Sequence, residues 1–296
     1  MSKPSIGFIG LGLMGDAMVQ RLQAQGYQLQ VIANRSREKI EAAVARGAVE
    51  HSSTKALAEA SDIVMLCMDT SASVETRMLG DDGVLAGLSA GNVVIDFGTS
   101  LPASTRSLGE KAAAIGAAYM DAPLGRTPAH ALDGQLNIMG AGDKDVFDRV
   151  KPVLDDLGEN VFHLGPLGAG HTVKLINNFF GMTVANSMAE AFAMADLAGV
   201  ERQTLYDVMA AGPLHSGMMD FVKGYAVNGK PDDLAFAIKN ARKDVGYYAT
   251  MADDAGVTSL MSSGAKTALG LAVADGRGDQ MVSQMVDFFS ELFDEK

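Results

Sequence analysis

Ser5-Ile6-Gly7-Phe8-Ile9-Gly10-Leu11-Gly12-Leu13-Met14-Gly15 is a short apolar run followed by spaced glycines, and a helical pattern continues from 17 to 25. An unbroken apolar run of this length reads as a strand buried on both faces. Glycines in the order Gly-x-Gly-x-x-Gly, set between such a strand and a helix, have separate physical jobs. Gly10 permits the tight turn, Gly12 lets the backbone approach a pyrophosphate, and Gly15 lets helix and strand pack closely. The helix start adds free N–H groups and a positive dipole end, which suit phosphates. Leu11, Leu13 and Met14 complete the loop, so residues 10–15 are expected to hold a dinucleotide.

Outward from this stretch, apolar runs at 28–33, 62–68, 92–96 and 118–123 repeat the buried-strand pattern. Helical patterns separate them, as at 37–46. Strands at 135–140 and 161–164, with a helix over 143–157, close the first half. Beyond 165 the strand pattern stops and only helical amphipathic sequence remains, punctuated by Gly199, Gly212-Pro213, Gly224 and Gly229. Strands alternating with helices, then helices alone, imply two domains. The expected fold is α/β: an N-terminal Rossmann-type doubly wound sheet over 1–164, then an all-α domain over 165–296. A long helix beginning near Gly168 joins them.

Composition narrows the function classes. The 296 residues are 48% hydrophobic and 20% charged, enough to build a sizeable core. A formal net charge of −12 argues against nucleic acid or an anionic membrane as partner. A small anionic substrate stays compatible, because a pocket can be locally positive. The single cysteine, Cys67, excludes an internal disulfide and any multi-cysteine zinc site, and the five histidines show no ligand spacing, so no metal is expected. No apolar run approaches the roughly 18 residues of a membrane span. The start, Met-Ser-Lys-Pro-Ser, runs straight into a strand without signal-peptide anatomy, and a cytoplasmic protein is expected. The 18 methionines read as core filler.

Ligand loops in this architecture follow the carboxyl ends of the parallel strands. After the second strand, NAD-selective folds place an acid on the ribose hydroxyls; this chain has Asn34-Arg35-Ser36-Arg37. No carboxylate repels a 2′-phosphate there, and Arg35 can pair with it, so NADP is the expected cofactor, with NAD possible. Ser36 can also cap the following helix. Met68 after the third of these runs, and Thr99 with Ser100 after the run at 92–96, are candidate contacts to cofactor or substrate. Gly125, Arg126 and Thr127 follow the run at 118–123. Small residues there expose backbone N–H groups, and Arg126 offers a fork of donors to a carboxylate, sulfonate or phosphate; a surface ion pair is the plainer role.

Gly168-Ala169-Gly170-His171-Thr172-Val173-Lys174-Leu175-Ile176-Asn177-Asn178 opens the long helix. Lys174 and Asn178 are four apart and share a face, one turn above the other. A proton donor to a carbonyl oxygen, oriented by a neighbouring amide, needs such a rigid pair. Further on, Phe236 and Lys243 are seven apart on one helical face and can close over a cofactor; a core phenylalanine beside a surface lysine is the alternative.

Four separated stretches together resemble one family, the β-hydroxyacid dehydrogenases, or 3-hydroxyisobutyrate dehydrogenase-like proteins. They are the glycine loop 10–15, Asp121-Ala122-Pro123 with its following loop, the Gly168-to-Asn178 stretch, and Lys243-Asp244. Order and spacing agree along nearly the whole chain. The resemblance implies a Rossmann domain, an all-helical second domain and oligomerisation through it, as a homodimer or homotetramer. It also implies Lys174 as the acid/base residue, Asn178 and Asn177 in the substrate site, and Lys243 against the cofactor. Three departures stand out. The family's common Val-Ser-Gly-Gly after Asp-Ala-Pro is Leu124-Gly125-Arg126-Thr127 here, a version similar to that of the sulfolactaldehyde reductases, which use the arginine on a sulfonate. Gly98-Thr99 replaces the usual Ser-Thr, and Met68-Asp69 replaces Leu-Pro.

The expected activity is therefore reduction of a small anionic aldehyde, 3-sulfolactaldehyde among the candidates, or oxidation of the matching hydroxy acid. Carboxylate substrates of the 3-hydroxyisobutyrate, tartronate semialdehyde or succinate semialdehyde type are the alternative. Imine reductases resemble the same fold but generally lack a lysine at the position of Lys174. A cofactor-binding protein without turnover has no use for the lysine stretch.

Overall fold

The computed structural model describes residues 3–33 and 37–294. The chain divides into two compact units, Met1–Lys174 and Leu175–Lys296. In the first, β1 (Ser5–Ile9), β2 (Gln28–Ile32), β3 (Val49–His51), β4 (Ile63–Leu66), β5 (Val93–Asp96) and β6 (Ala118–Asp121) form one parallel sheet. Its order, β3-β2-β1-β4-β5-β6, reverses direction at β1, the doubly wound arrangement expected from the sequence. Helices α1 (Leu13–Ala24), α2 (Arg37–Ala45), α3 (Thr54–Glu59), α4 (Ser71–Met78), α5 (Val84–Gly87) and α6 (Pro102–Ala113) make the crossovers.

Both faces of the sheet are covered, which explains the near-continuous apolar runs. Ile6, Phe8, Val31, Met65 and Ile95 face one core with Val150 and Leu154. Their neighbours Ile9, Ile32, Val64, Leu66 and Val94 face the other, with Leu57 and Leu108. Strand β3 was not expected. It is three residues at the sheet edge, with Val49 and Glu50 exposed, and so carries no apolar run to read.

A second, three-stranded sheet follows, in the order β7-β8-β9. It comprises β7 (Leu124–Gly125), antiparallel to β8 (Leu136–Gly140), and β9 (Gly158–His163), parallel to β8. Helices α7 (Pro128–Leu132) and α8 (Lys144–Leu157) connect them. This small sheet takes the runs at 135–140 and 161–164 and seats the loop around Arg126.

Helix α9 (Ala169–Leu197) begins in the first unit and continues in the second. The second unit is otherwise α10 (Arg202–Ala210), α11 (Gly217–Asn228), α12 (Ile238–Asp254), α13 (Ser262–Ala274) and α14 (Met285–Asp294), with two short 3₁₀ turns. Its core holds Met182, Met188, Met219 and Met285 around Phe192, the filler role expected of methionine. Among the described residues, no helix is long and apolar enough to cross a membrane.

The glycine loop shows why its residues differ. Gly10 has φ +104°, and a Cβ there falls 2.3 Å from the Cys67 carbonyl oxygen. A Cβ on Gly15 falls 2.0 Å from the Gly10 carbonyl oxygen, backbone that has nowhere to go. At Gly12, with φ −71°, a Cβ meets nothing within 4 Å. Gly15→Ala should therefore lose about 1–3 kcal/mol in urea unfolding, an overpacking cost. Gly12→Ala should lose less than about 1 kcal/mol, its only penalty being a poorer helix cap.

Candidate active site

The loop between β1 and α1 borders a cavity of about 380 Å³, lined by Gly10 to Leu13 together with Lys39, Met68 and Asp69. Leu13 stands 77% exposed at its rim, an apolar residue with no protein neighbour to cover it. Leu11 is buried and Met14 half-buried. The open space at Gly12, beside the first N–H groups of α1, fits a dinucleotide's phosphates as the sequence reading required. Asp69, which replaces the family's proline, accepts a hydrogen bond from Ser73 Oγ at 2.7 Å and so helps start α4.

Lys39 is a site residue the sequence reading missed. Its Nζ donates to the Gly12 carbonyl oxygen at 2.8 Å, which brings a cation from α2 to the phosphate loop. The signal was present as a basic residue in the first turn of the helix after Ser36, but a surface helix carries many such lysines. Asn34, Arg35 and Ser36, named above as the 2′-phosphate readers, lie outside the described residues. Arg37, next in line, pairs with Glu50 on β3.

At the carboxyl end of β5, Thr99 is half-buried and Ser100 buried, with Ser100 Oγ donating to Asp96 Oδ2 at 3.0 Å. Ser100 is thus occupied in holding a strand-end carboxylate, while Thr99 keeps part of its surface. Burial, and next the Asp96 charge, push the Cys67 thiol up to about 12, so it stays protonated at neutral pH and is no nucleophile.

The start of α9 is set by Asp121, the last residue of β6. Asp121 Oδ1 accepts from the Gly168 N–H and Oδ2 from the His171 N–H, each at 2.7 Å. One carboxylate thus satisfies two backbone donors at the helix entry, where the dipole also favours negative charge. Gly168 adopts φ +92°, and a Cβ on Gly170 would fall 2.3 Å from the Met139 carbonyl oxygen. The paired glycines of this stretch serve a turn and a close approach. Lys174 follows three residues after His171 and is half-buried.

Within the second unit, Asn178 is buried, and its Nδ2 donates to Asp244 Oδ2 at 2.6 Å. Lys243 Nζ lies 3.0 Å from Asp244 Oδ1 and 5.3 Å from the Tyr247 ring centroid. Lys243, Asp244 and Asn178 form one linked chain of polar groups. Sequence reasoning placed Asp244 in a motif but gave it no task; here it orients the Asn178 amide. Asn177 is exposed and donates to Asn178 Oδ1 at 3.3 Å. Phe179 stacks on Tyr248 with centroids 4.1 Å apart. Phe236 lies before α12, outside the helix, and so does not share a helical face with Lys243 as the sequence reading expected; it is half-buried and packs against the helical core.

In the loop after Asp-Ala-Pro, Gly125 sits in β7, where a Cβ would meet Asn137 Cβ at 3.3 Å. Arg126 has φ +75° and is the sole non-glycine residue with positive φ among the described residues. Its Nη1 donates to the Gln135 carbonyl oxygen at 2.7 Å and to the Glu159 carboxylate. Thr127 Oγ1 shares a hydrogen bond with His130 Nδ1 at 2.8 Å. The guanidinium is therefore anchored at one end and already faces a carboxylate.

Comparison with known proteins agrees with this arrangement. Residues 5–165 match the profile of the NAD binding domain of 6-phosphogluconate dehydrogenase. Residues 168–289 match that of the NAD-binding domain of NADP-dependent 3-hydroxyisobutyrate dehydrogenase. The chain is 32% identical to 2-(hydroxymethyl)glutarate dehydrogenase of Eubacterium barkeri over 250 residues, 80% of this chain and 82% of that one. It is 31% identical to 3-sulfolactaldehyde reductase of Escherichia coli K12 over 288 residues, 96% and 95% of the two chains. The crystal structure of 3-hydroxyisobutyrate dehydrogenase from Salmonella typhimurium superposes with TM-score 0.83 at 26% identity, covering 97% of this chain and all of that one. A phosphate-ready glycine loop, a lysine-bearing helix behind a carboxylate cap and two profiles spanning nearly the whole sequence make this chain a member of the NAD(P)-dependent β-hydroxyacid dehydrogenase family.

Proposed function

We propose that the protein is an NADP(H)-preferring reductase of a small anionic aldehyde, with Lys174 as its acid/base residue and 3-sulfolactaldehyde as its first candidate substrate. The observation that carries this reading is the placement of Lys174 in the second turn of α9, on a helix whose start is fixed by Asp121. When bound, the reduced nicotinamide supplies the hydride. Lys174 Nζ gives its proton to the alkoxide oxygen that forms at the former carbonyl, and in the reverse direction takes it back. Asn178, its amide oriented by Asp244, donates to the same substrate. Gly10 to Gly15 take the pyrophosphate, and Thr99 and Met68 lie on the cofactor side of the site. Lys243 and Phe236 complete the set of cofactor contacts.

Lys39 supports NADP, since it adds a cation beside the glycine loop. Directly after β2 the sequence reads Asn34-Arg35-Ser36, a further cation with no acid beside it. Arg126, with Gly125 and Thr127 beside it, is the reader of the substrate's anionic end. Sulfonate is favoured by the Gly-Arg-Thr loop and by the likeness to a sulfolactaldehyde reductase. A carboxylate is the second reading, and one observation favours it: the Arg126 guanidinium already holds the Glu159 carboxylate. The reading includes a homo-oligomer, either dimer or tetramer; exposed Phe180, Leu260 and Met261 supply apolar surface for association.

Oxidation of NADPH and of NADH should be followed with sulfolactaldehyde, methylmalonate semialdehyde, tartronate semialdehyde and succinate semialdehyde in parallel. The reading requires faster turnover with NADPH and a clear preference for sulfolactaldehyde; preference for a carboxylate aldehyde selects the second reading. Lys174→Ala should lower kcat by roughly 100-fold or more, as loss of a general acid does. A variant with near-normal kcat removes Lys174 from the mechanism. Arg126→Ala should raise KM for every anionic aldehyde while leaving the NADPH dissociation constant in place. An unchanged KM would assign the arginine to the loop alone.

A further inference from the structure

One turn before Lys174 lies a buried polar assembly that proton transfer to the substrate does not itself employ. His171 is completely buried, as are Asp96 at the end of β5 and Asp121 at the end of β6. The imidazole stands between the two carboxylates. Its Nε2 is 3.8 Å from Asp96 Oδ2 and its Nδ1 is 3.8 Å from Asp121 Oδ2. Nδ1 also shares a 2.7 Å hydrogen bond with Thr105 Oγ1 on α6. Thr105 Oγ1 also lies 3.2 Å from the Leu101 carbonyl oxygen, so it ties the ring to the start of α6. Nε2 is turned toward the Asp96 carboxylate. A protonated ring at this place stands between two carboxylates, the arrangement that offsets their burial.

The carboxylates are themselves held. Asp96 Oδ1 accepts from the Gly98 N–H at 2.8 Å and Oδ2 from Ser100 Oγ. Asp121 accepts from the two N–H groups of the α9 entry. Burial holds the Asp121 carboxyl above its ordinary value, and the nearby His171 and those N–H bonds offset only part of that rise. The other titratable groups around the assembly are the Tyr119 phenol on β6 and the Cys67 thiol beyond β4. Both are raised first by burial and then by the carboxylates, so both stay neutral. Arg106 on α6 is the remaining nearby charge, its Nη1 3.0 Å from where a Gly168 Cβ would stand.

We infer that His171, held between Asp96 and Asp121 and bonded to Thr105, is the positioning residue for Lys174. Its backbone N–H is tied to β6, its ring to β5 and α6, and it lies three residues before Lys174 on the same helix. The rotation and height of that turn are therefore set against the ends of the two strands whose loops face the site. An error of about 1 Å in a reacting group costs on the order of 100-fold in rate, so a small slip of this turn is enough to silence the lysine. The inference rests on the reading of Lys174 as the acid/base residue.

The test compares His171→Leu, Thr105→Val, Thr105→Ser and Lys174→Ala. For each, kcat and KM for the preferred aldehyde, the NADPH dissociation constant by fluorescence and the melting temperature are measured. The expected result is a kcat lowered about 10-fold or more in His171→Leu and Thr105→Val. NADPH binding should stay within about twofold of the parent, and Thr105→Ser, which keeps the hydroxyl, should restore kcat. If His171→Leu does not fold, the Thr105 pair carries the comparison. Full kcat in Thr105→Val with only a lower melting temperature makes the assembly a structural cap and overturns the inference. Parallel loss of kcat and NADPH binding overturns it too, as damage to the cofactor domain. Full kcat in Lys174→Ala overturns the Lys174 reading itself, and is told apart from the other failures by that variant alone.

Discussion

The contact on which this structure turns is the pair of hydrogen bonds from the Gly168 and His171 amides to the Asp121 carboxylate. A helix entry leaves four backbone donors without intrahelical partners, and burying such donors is costly. Here a strand-end aspartate supplies both acceptors at once. The same bonds join the parallel sheet, whose loops carry the ligand side of the fold, to the helix that carries Lys174. The glycines around the contact follow from it. Gly168 turns the chain into position and Gly170 lets it pass the Met139 carbonyl oxygen. The His171 imidazole, on the turn that the carboxylate holds, stands 3.8 Å from it.

Much of this was legible before any coordinates. The doubly wound sheet was readable because a parallel strand buried on both faces has to be largely apolar, as β1, β4, β5 and β6 are, while β2 keeps Leu29, Val31 and Ile32 beside two glutamines. The glycine loop was readable because each glycine answers a different steric demand, and the space at Gly12, Gly15 and Gly10 differs accordingly. Helical spacing put Lys174 and Asn178 on one face, and the family resemblance supplied the roles expected of them. Other parts left no such trace. Strand β3 is too short and too exposed to show a pattern. Lys39 reaches the loop through a tertiary approach of α2 that periodicity does not encode. Asp121 and Asp244 stood inside recognised motifs, yet what each carboxylate holds depends on residues 47 and 66 positions away.

Polar order in the second unit follows the same logic on a smaller scale. Asn178 is an amide in a buried place and requires a partner, which Asp244 supplies. Asp244 is a buried carboxylate and requires a cation, which Lys243 supplies at its side. The three residues therefore stand or fall together. The stacked Phe179 and Tyr248 rings hold α9 and α12 together next to it.

Arg126 has a further consequence through its backbone. A left-handed conformation costs an ordinary residue about 1–2 kcal/mol, and glycine pays almost none of it. The chain keeps a bulky arginine there all the same, at φ +75°. Exchange for glycine relieves that backbone cost and at the same time forfeits the guanidinium's bonds to the Gln135 carbonyl oxygen and the Glu159 carboxylate. The side chain that strains this loop is thus the same one that ties it to β9 and to the turn before β8.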